Sequence, residues 1–168
     1  MQEPTPPSGP IVVPVDFEEG AEDRVLGEAI RWARAFDQEV LALHVWEPPR
    51  LLAGDTLYAV PGFDAASLSE LALAEAERHM ASLVEKWSTP GRTLRTRLEV
   101  GRTATVITEV AEEVGAAFIV MGTHGRRGLS RALLGSVAHG VITRSRVPVL
   151  TIPMRDDKDL SGDVRRSR

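Results

Sequence analysis

The sequence predicts an α/β domain built on a single doubly wound, five-stranded parallel sheet with helices on both faces. Three observations predict it. Short apolar runs alternate with amphipathic helical stretches along the chain, the βαβ order that calls for a parallel sheet with right-handed crossovers. Three of the runs, Ile11–Val15, Val40–Val45 and Ala117–Met121, are apolar throughout but for His44, as strands buried on both sides are. Finally, 168 residues with 43% hydrophobic content and a net charge of −4 suffice for one sizeable core in one globular domain.

Ile11-Val12-Val13-Pro14-Val15 reads as a short buried strand that ends at Asp16 and Phe17. Ala21–Phe36 follows as a helix, because Val25, Leu26, Ala29, Ile30, Ala33 and Phe36 recur at helical spacing. Val40–Val45 is the second strand. From Trp46 to Asp64, Pro48, Pro49, Gly54, Pro61 and Gly62 break any regular element. Ala65–Trp87, rich in alanine, leucine and glutamate, is a long helix. Thr93–Val100 sets Leu94, Thr96, Leu98 and Val100 at every second position, as in a strand near a sheet edge. Thr103–Val114 is helical, Ala117–Met121 the fourth strand, Ser130–Ser145 a helix and Val147–Ile152 the fifth strand. Residues 1–9 are expected to form a proline-rich tail, 10–153 the domain and 154–168 a charged tail.

The chain has no cysteine, which excludes disulfides and thiolate-bound zinc or iron–sulfur centres. No apolar run is long enough to span a bilayer, and Met1–Pro10 lacks the basic start and apolar stretch of a signal peptide. A cytoplasmic location is therefore expected, with neither a membrane nor nucleic acid as partner. Charge is divided unevenly. Residues 1–90 carry 6 Lys/Arg and 16 Asp/Glu, a balance of −10, while residues 91–168 carry 14 and 8, a balance of +6. No acidic residue lies between Val114 and Arg155, a stretch that holds Arg126, Arg127, Arg131, Arg144 and Arg146. Such a stretch suits an anionic ligand and equally a solvated basic face.

The chemistry-bearing segment is Gly122-Thr-His-Gly125, then nine residues, then Gly135-Ser136, set between the fourth strand and the next helix. Glycine permits close backbone approach and positive φ, and a helix start presents unpaired N–H groups, so this order can cradle phosphate. It is not a Walker A loop, since the only lysines, Lys86 and Lys158, lie far from any glycine turn. Nor does G-x-G-x-x-G follow the first strand. Several residues have two readings. Asp16, at a strand-to-helix junction, fits a helix cap or a ligand acceptor. His124 fits a phosphate donor or a solvated loop residue. Arg126 and Arg127 fit charge-assisted phosphate contacts or solvent, and Trp46 a shield over the site or loop packing. Ser136 with His124 or His139 would suggest a nucleophile and base, but nothing places an acid behind either histidine, so no catalytic residue is assigned.

Val120-Met121-Gly122-Thr123-His124-Gly125-Arg126-Arg127-Gly128-Leu129, Leu134-Gly135-Ser136-Val137-Ala138 and Val147-Pro148-Val149-Leu150 resemble the C-terminal signature of the universal stress protein family. Every position of G-x2-G-x9-G-[ST], the pattern of its ATP-binding subgroup, is present. Ile11–Phe17 resembles the family's first strand with its aspartate, and His44-Val45 the end of its second. The resemblance covers nearly all of 11–153 and implies a Rossmann-like fold of the adenine nucleotide alpha hydrolase type, strand order 3-2-1-4-5. It also implies ATP as ligand, with any Mg²⁺ held by the phosphates. Backbone groups of Val45 would meet adenine, with Pro14 and Val15 as apolar wall. Asp16 would accept from ribose or base, and Met121 and Gly122 would line the ribose end. His124, Gly125, Arg126, Gly135, Ser136 and Val137 would surround the phosphates. Glu18-Glu19 departs from the serine or threonine usual after the aspartate, placing two carboxylates near an anion site or at a helix start. A homodimer through Val147–Ile152 is expected, because an apolar edge strand invites pairing with its copy. The expected role is regulatory nucleotide binding in a stress response. The alternatives are a slow ATPase or phosphotransferase and a nucleotide-free dimerisation module.

Overall fold

The computed structural model describes residues 8–17, 21–48, 65–123 and 134–154. Strands and helices alternate through them: β1 (Ile11–Pro14), α1 (Ala21–Phe36), β2 (Val40–Trp46), α2 (Ala65–Trp87), β3 (Arg95–Val100), α3 (Thr103–Glu113), β4 (Phe118–Gly122), α4 (Ser136–Arg144) and β5 (Val149–Ile152). The strands form one wholly parallel sheet in the order β3-β2-β1-β4-β5, as the sequence led us to expect.

Side chains leave a strand alternately to its two faces, and here each face has its own helical cover. Ile11, Val13, Val40 and Ala42 pack with Leu26, Ala29 and Ala33 of α1 and with Met80 and Leu83 of α2. Val12, Leu41, Leu43, Ile119 and Met121 pack with Ile107, Val110 and Ala111 of α3 and with Ala138 and Val141 of α4. Ile11, Leu26, Leu43, Ile107 and Ile119 are fully buried, each contributing about 1.5–3 kcal/mol by leaving water. The edge strand β3 is more exposed. Its Arg97 bridges Glu99 (2.6 Å) and Glu113 of α3 (2.9 Å), which raises the arginine pKa and lowers that of Glu113.

Several boundaries differ from those read in the sequence, each for a visible reason. β3 begins at Arg95, not Thr93, because Thr89 and Arg92 close a turn on each other and the Leu94 N–H donates to Ser88 Oγ (3.0 Å). β5 begins at Val149, not Val147, because the Ser145 hydroxyl takes both the N–H and the C=O of Val147 (3.1 and 2.7 Å). β2 runs on to Trp46, whose carbonyl accepts from Gly101 N–H. Gly135 does not lie within a helix: α4 starts at Ser136, and Gly135 is its N-cap in an extended conformation (φ −57°, ψ 150°). Residues 130–133, read as helix, lie outside the described residues.

Candidate functional site

Strand order reverses between β1 and β4, and beyond the carboxyl ends of such a pair an open α/β sheet offers its crevice. Here the local sequence opens it further. β1 pairs with β4 only through Ile11↔Phe118 and Val12↔Ile119, although β4 continues to Gly122. Backbone groups alternate between the neighbouring strands, and Ile11 and Val15 both donate toward β2. The next donor toward β4 would be residue 14, which is proline and has none. The two strands therefore part just where the crevice forms.

On the far side, β4 leads through Gly122 and Thr123 and the fold returns at Gly135. The Gly135 N–H donates to the Thr123 carbonyl (2.8 Å), clamping the start of α4 against the exit of β4. The N-cap Gly135 has no side chain with which to cap α4, so among the described residues the first N–H groups of the helix, Ser136 and Val137 among them, carry the positive end of the helix dipole. Ser136 is exposed, whereas Val137 is half-buried against the α3/α4 core.

The end of β2 forms the third side. Val15 N–H donates to Leu43 O (2.9 Å), and the Val15 carbonyl accepts from His44 Nδ1 (2.8 Å). By the same alternation the Val45 backbone N–H and C=O face the β1 side. There, among the described residues, no backbone partner meets them. Next along, the Glu47 carboxylate accepts from both the N–H and hydroxyl of Thr103 (3.0 and 2.8 Å). It supplies from outside the helix the cap that Arg102 does not make for α3.

Asp16 is exposed at the end of β1. Behind it, the Phe17 ring stacks on His44 (centroids 3.9 Å, 16°) and leans on His79 of α2 (4.1 Å, 39°). His79 Nε2 lies 3.1 Å from Glu22 Oε2, and the Glu22 side chain is 5% exposed. Burial, together with the charges of Asp16 and Asp23, raises the Glu22 carboxyl above its ordinary range, against the pull of His79. A separate cavity of about 420 Å³ opens at the opposite end of the sheet, by Arg34, Trp87 and Leu94. There Arg92 is engaged by the Gln38 carbonyl and by Asp37.

The sequence model described as the universal stress protein family matches residues 8–153. The chain belongs to this family. Among its relatives, a universal stress protein of Methanocaldococcus jannaschii is 30% identical over 159 residues, covering 87% of this chain and 95% of the relative. A second from the same archaeon is 34% identical over 145 residues, covering 84% and 80%. Among solved structures, the universal stress protein of Archaeoglobus fulgidus in complex with dAMP superposes with a TM-score of 0.62 at 27% identity, covering 87% of this chain and 98% of that one.

Of the positions that resemble the family's nucleotide site, the fold brings Pro14, Val15, Asp16, Val45, Met121, Gly122, Gly135, Ser136 and Val137 to the carboxyl-end crest. The Val15 and Met121 side chains are buried in opposite cores, which leaves their backbones at the crest. His124, Gly125 and Arg126 lie outside the described residues. Sequence reasoning missed Phe17, Glu22, His79 and the Glu47 cap. The signal available was faint: a bulky residue following the strand-end aspartate, and histidine on a helix face.

Proposed function

We propose that the crest holds an adenine nucleotide, ATP in the first instance, and that the protein is a nucleotide-responsive regulator in a stress response. The observation that carries this reading is the crevice at the β1/β4 parting, walled by the glycine-capped start of α4, where the Gly122–Gly135 spacing falls. The dAMP complex of the Archaeoglobus relative supports it. In this reading the Val45 backbone takes the adenine, Pro14 and Val15 flank it, and Asp16 accepts from the ribose. Met121 and Gly122 line the ribose end, and His124, Gly125, Arg126, Gly135, Ser136 and Val137 receive the phosphates. Any Mg²⁺ would enter on the phosphates. The chain has no P-loop lysine and no evident base, features that suit holding ATP more than turning it over.

The same reading places the protein in the cytoplasm as a homodimer joined through the edge strand β5, with 10–153 as its working domain. The test is native mass spectrometry of the purified protein followed by calorimetric titration with ATP, ADP and AMP. A co-purifying adenine nucleotide and saturable binding are expected. Gly125→Val should abolish binding with the fold intact, since a β-branched side chain resists positive φ and fills the space that phosphate needs. Wild-type affinity in that variant would refute the site.

A further inference from the structure

Phe17 stands at φ 63°, a left-handed conformation that a bulky residue holds only where its surroundings over-determine it. Beside the apolar core that Phe17 packs against, the surroundings include two imidazoles. His44, tethered through Nδ1–H to the Val15 carbonyl, lies flat against one face of the ring, and His79 leans on it as well. His79 is tied in turn to Glu22, whose second oxygen, Oε1, is buried with no hydrogen-bond partner among the described residues. The end of β1, β2 and α2 thus meet on one aromatic ring, with α1 joined to it through the Glu22–His79 contact, and that ring is the immediate neighbour of Asp16.

We propose that Phe17 is a positioning residue for Asp16 and that the His79–Glu22 pair is its proton-dependent latch, so that nucleotide affinity at the crest rises as histidine protonates. The inference rests on the nucleotide reading above. An imidazolium against the phenyl ring adds cation–π attraction to neutral stacking. It also offsets the desolvation of the buried Glu22 carboxylate, to which the charges of Asp16 and Asp23 add. Among the described residues the other titratable or charged groups near the pair are His44 from β2, Lys86 of α2 on Asp23 (2.6 Å), and Glu75, which lies one turn back on α2 and is paired with Arg78. Histidine is the side chain that changes charge in the neutral range. Protonation would therefore clamp the ring, hold the strained Phe17 backbone and fix Asp16 in place. Deprotonation would loosen all three.

The experiment is calorimetric titration of the full chain with Mg·ATP at about pH 6 and about pH 8, bracketing histidine. Wild type should bind several-fold more tightly at the lower pH than His79→Gln does. That variant keeps an amide donor for Glu22 but cannot protonate, so titration of the nucleotide itself cancels. Phe17→Leu should weaken binding at both pH values, and Phe17→Tyr should restore both the affinity and its pH span. An identical span in wild type and His79→Gln overturns the latch. If His79→Gln fails to fold, Glu22→Gln takes its place: a flattened span supports the latch and an unchanged one overturns it. Absence of ATP binding by wild type at either pH would sink the nucleotide reading instead. The latch is then judged by NMR, where the Val15, Asp16 and Phe17 amide resonances must move between these pH values in wild type and stay still in His79→Gln. Static resonances in both would overturn it.

Discussion

Gly140→Ala tests how closely α4 is held to α3, and with it the position of the helix start that borders the crevice. Gly140 is buried within α4, and a Cβ there would stand 2.8 Å from Ala104 Cβ and 3.1 Å from Arg144 Nη1. The arginine tip can swing away, but Ala104 Cβ is fixed to the backbone of α3. Ordinary carbon–carbon contact needs about 3.5–4.0 Å, so the helices must part by roughly 0.7–1.2 Å. Two effects oppose each other. Alanine in place of glycine inside a helix gains about 1 kcal/mol, whereas forcing a methyl group into a filled contact costs about 1–3 kcal/mol. The net expectation is a loss of about 1 kcal/mol, seen as a Tm lowered by roughly 2–4 °C for a chain of this length. Thermal melts followed by circular dichroism measure it directly. In an Ala104→Gly background, which removes the opposing methyl, the same Gly140→Ala change should raise Tm. A stabilised single variant, or equal effects in the two backgrounds, would refute the close packing.

Glu22→Gln bears on the buried carboxylate. Because burial raises this group in the folded chain, its stabilising contribution is complete below the ordinary carboxylate range and is lost as pH rises through the raised value. Glu22→Gln should therefore melt above wild type at neutral pH, with the gap closing on acidification; a gap that widens toward acid contradicts the sign. Asp16→Ala should weaken nucleotide binding and leave Tm nearly unchanged, since Asp16 is exposed; an equal loss of Tm with unaltered affinity would make the residue a helix cap. Thr151→Pro probes the proposed dimer. Pro148 and Ile152 carbonyls face β4, so by alternation the Thr151 N–H points to the free edge of β5, and proline removes that donor while taking none from the ladder to β4. Light scattering should report monomers, and a persistent dimer would rule out the edge-strand interface.

Helices α1 and α2 coincide with their sequence spans, Ala21–Phe36 and Ala65–Trp87. Their apolar spacing and composition are local properties, set within a few residues. The parallel, doubly covered sheet was equally legible, because runs such as Ile11–Val13 and Ile119–Met121 have no polar face to offer to water. Boundaries slipped wherever a backbone donor found a partner that no periodicity encodes: Leu94 on Ser88, Val147 on Ser145, Gly135 on Thr123. The effect of Pro14 could be read only once its alternation between β2 and β4 was known.

By itself the sequence determined the fold class, the family and the glycine spacing that marks one end of the crest, since each is carried by residue order and short-range pattern. Only the tertiary structure decided that β1 and β4 part at Pro14, that Glu47 caps α3, and that Phe17 is gripped by His44 and His79 in front of Glu22. The paired atoms of that last cluster lie 29 and 57 residues apart along the chain. Contacts at such separation leave no period to detect. They exist because crossovers of one hand bring the carboxyl ends of neighbouring parallel strands, and the helices that cover them, to a common edge.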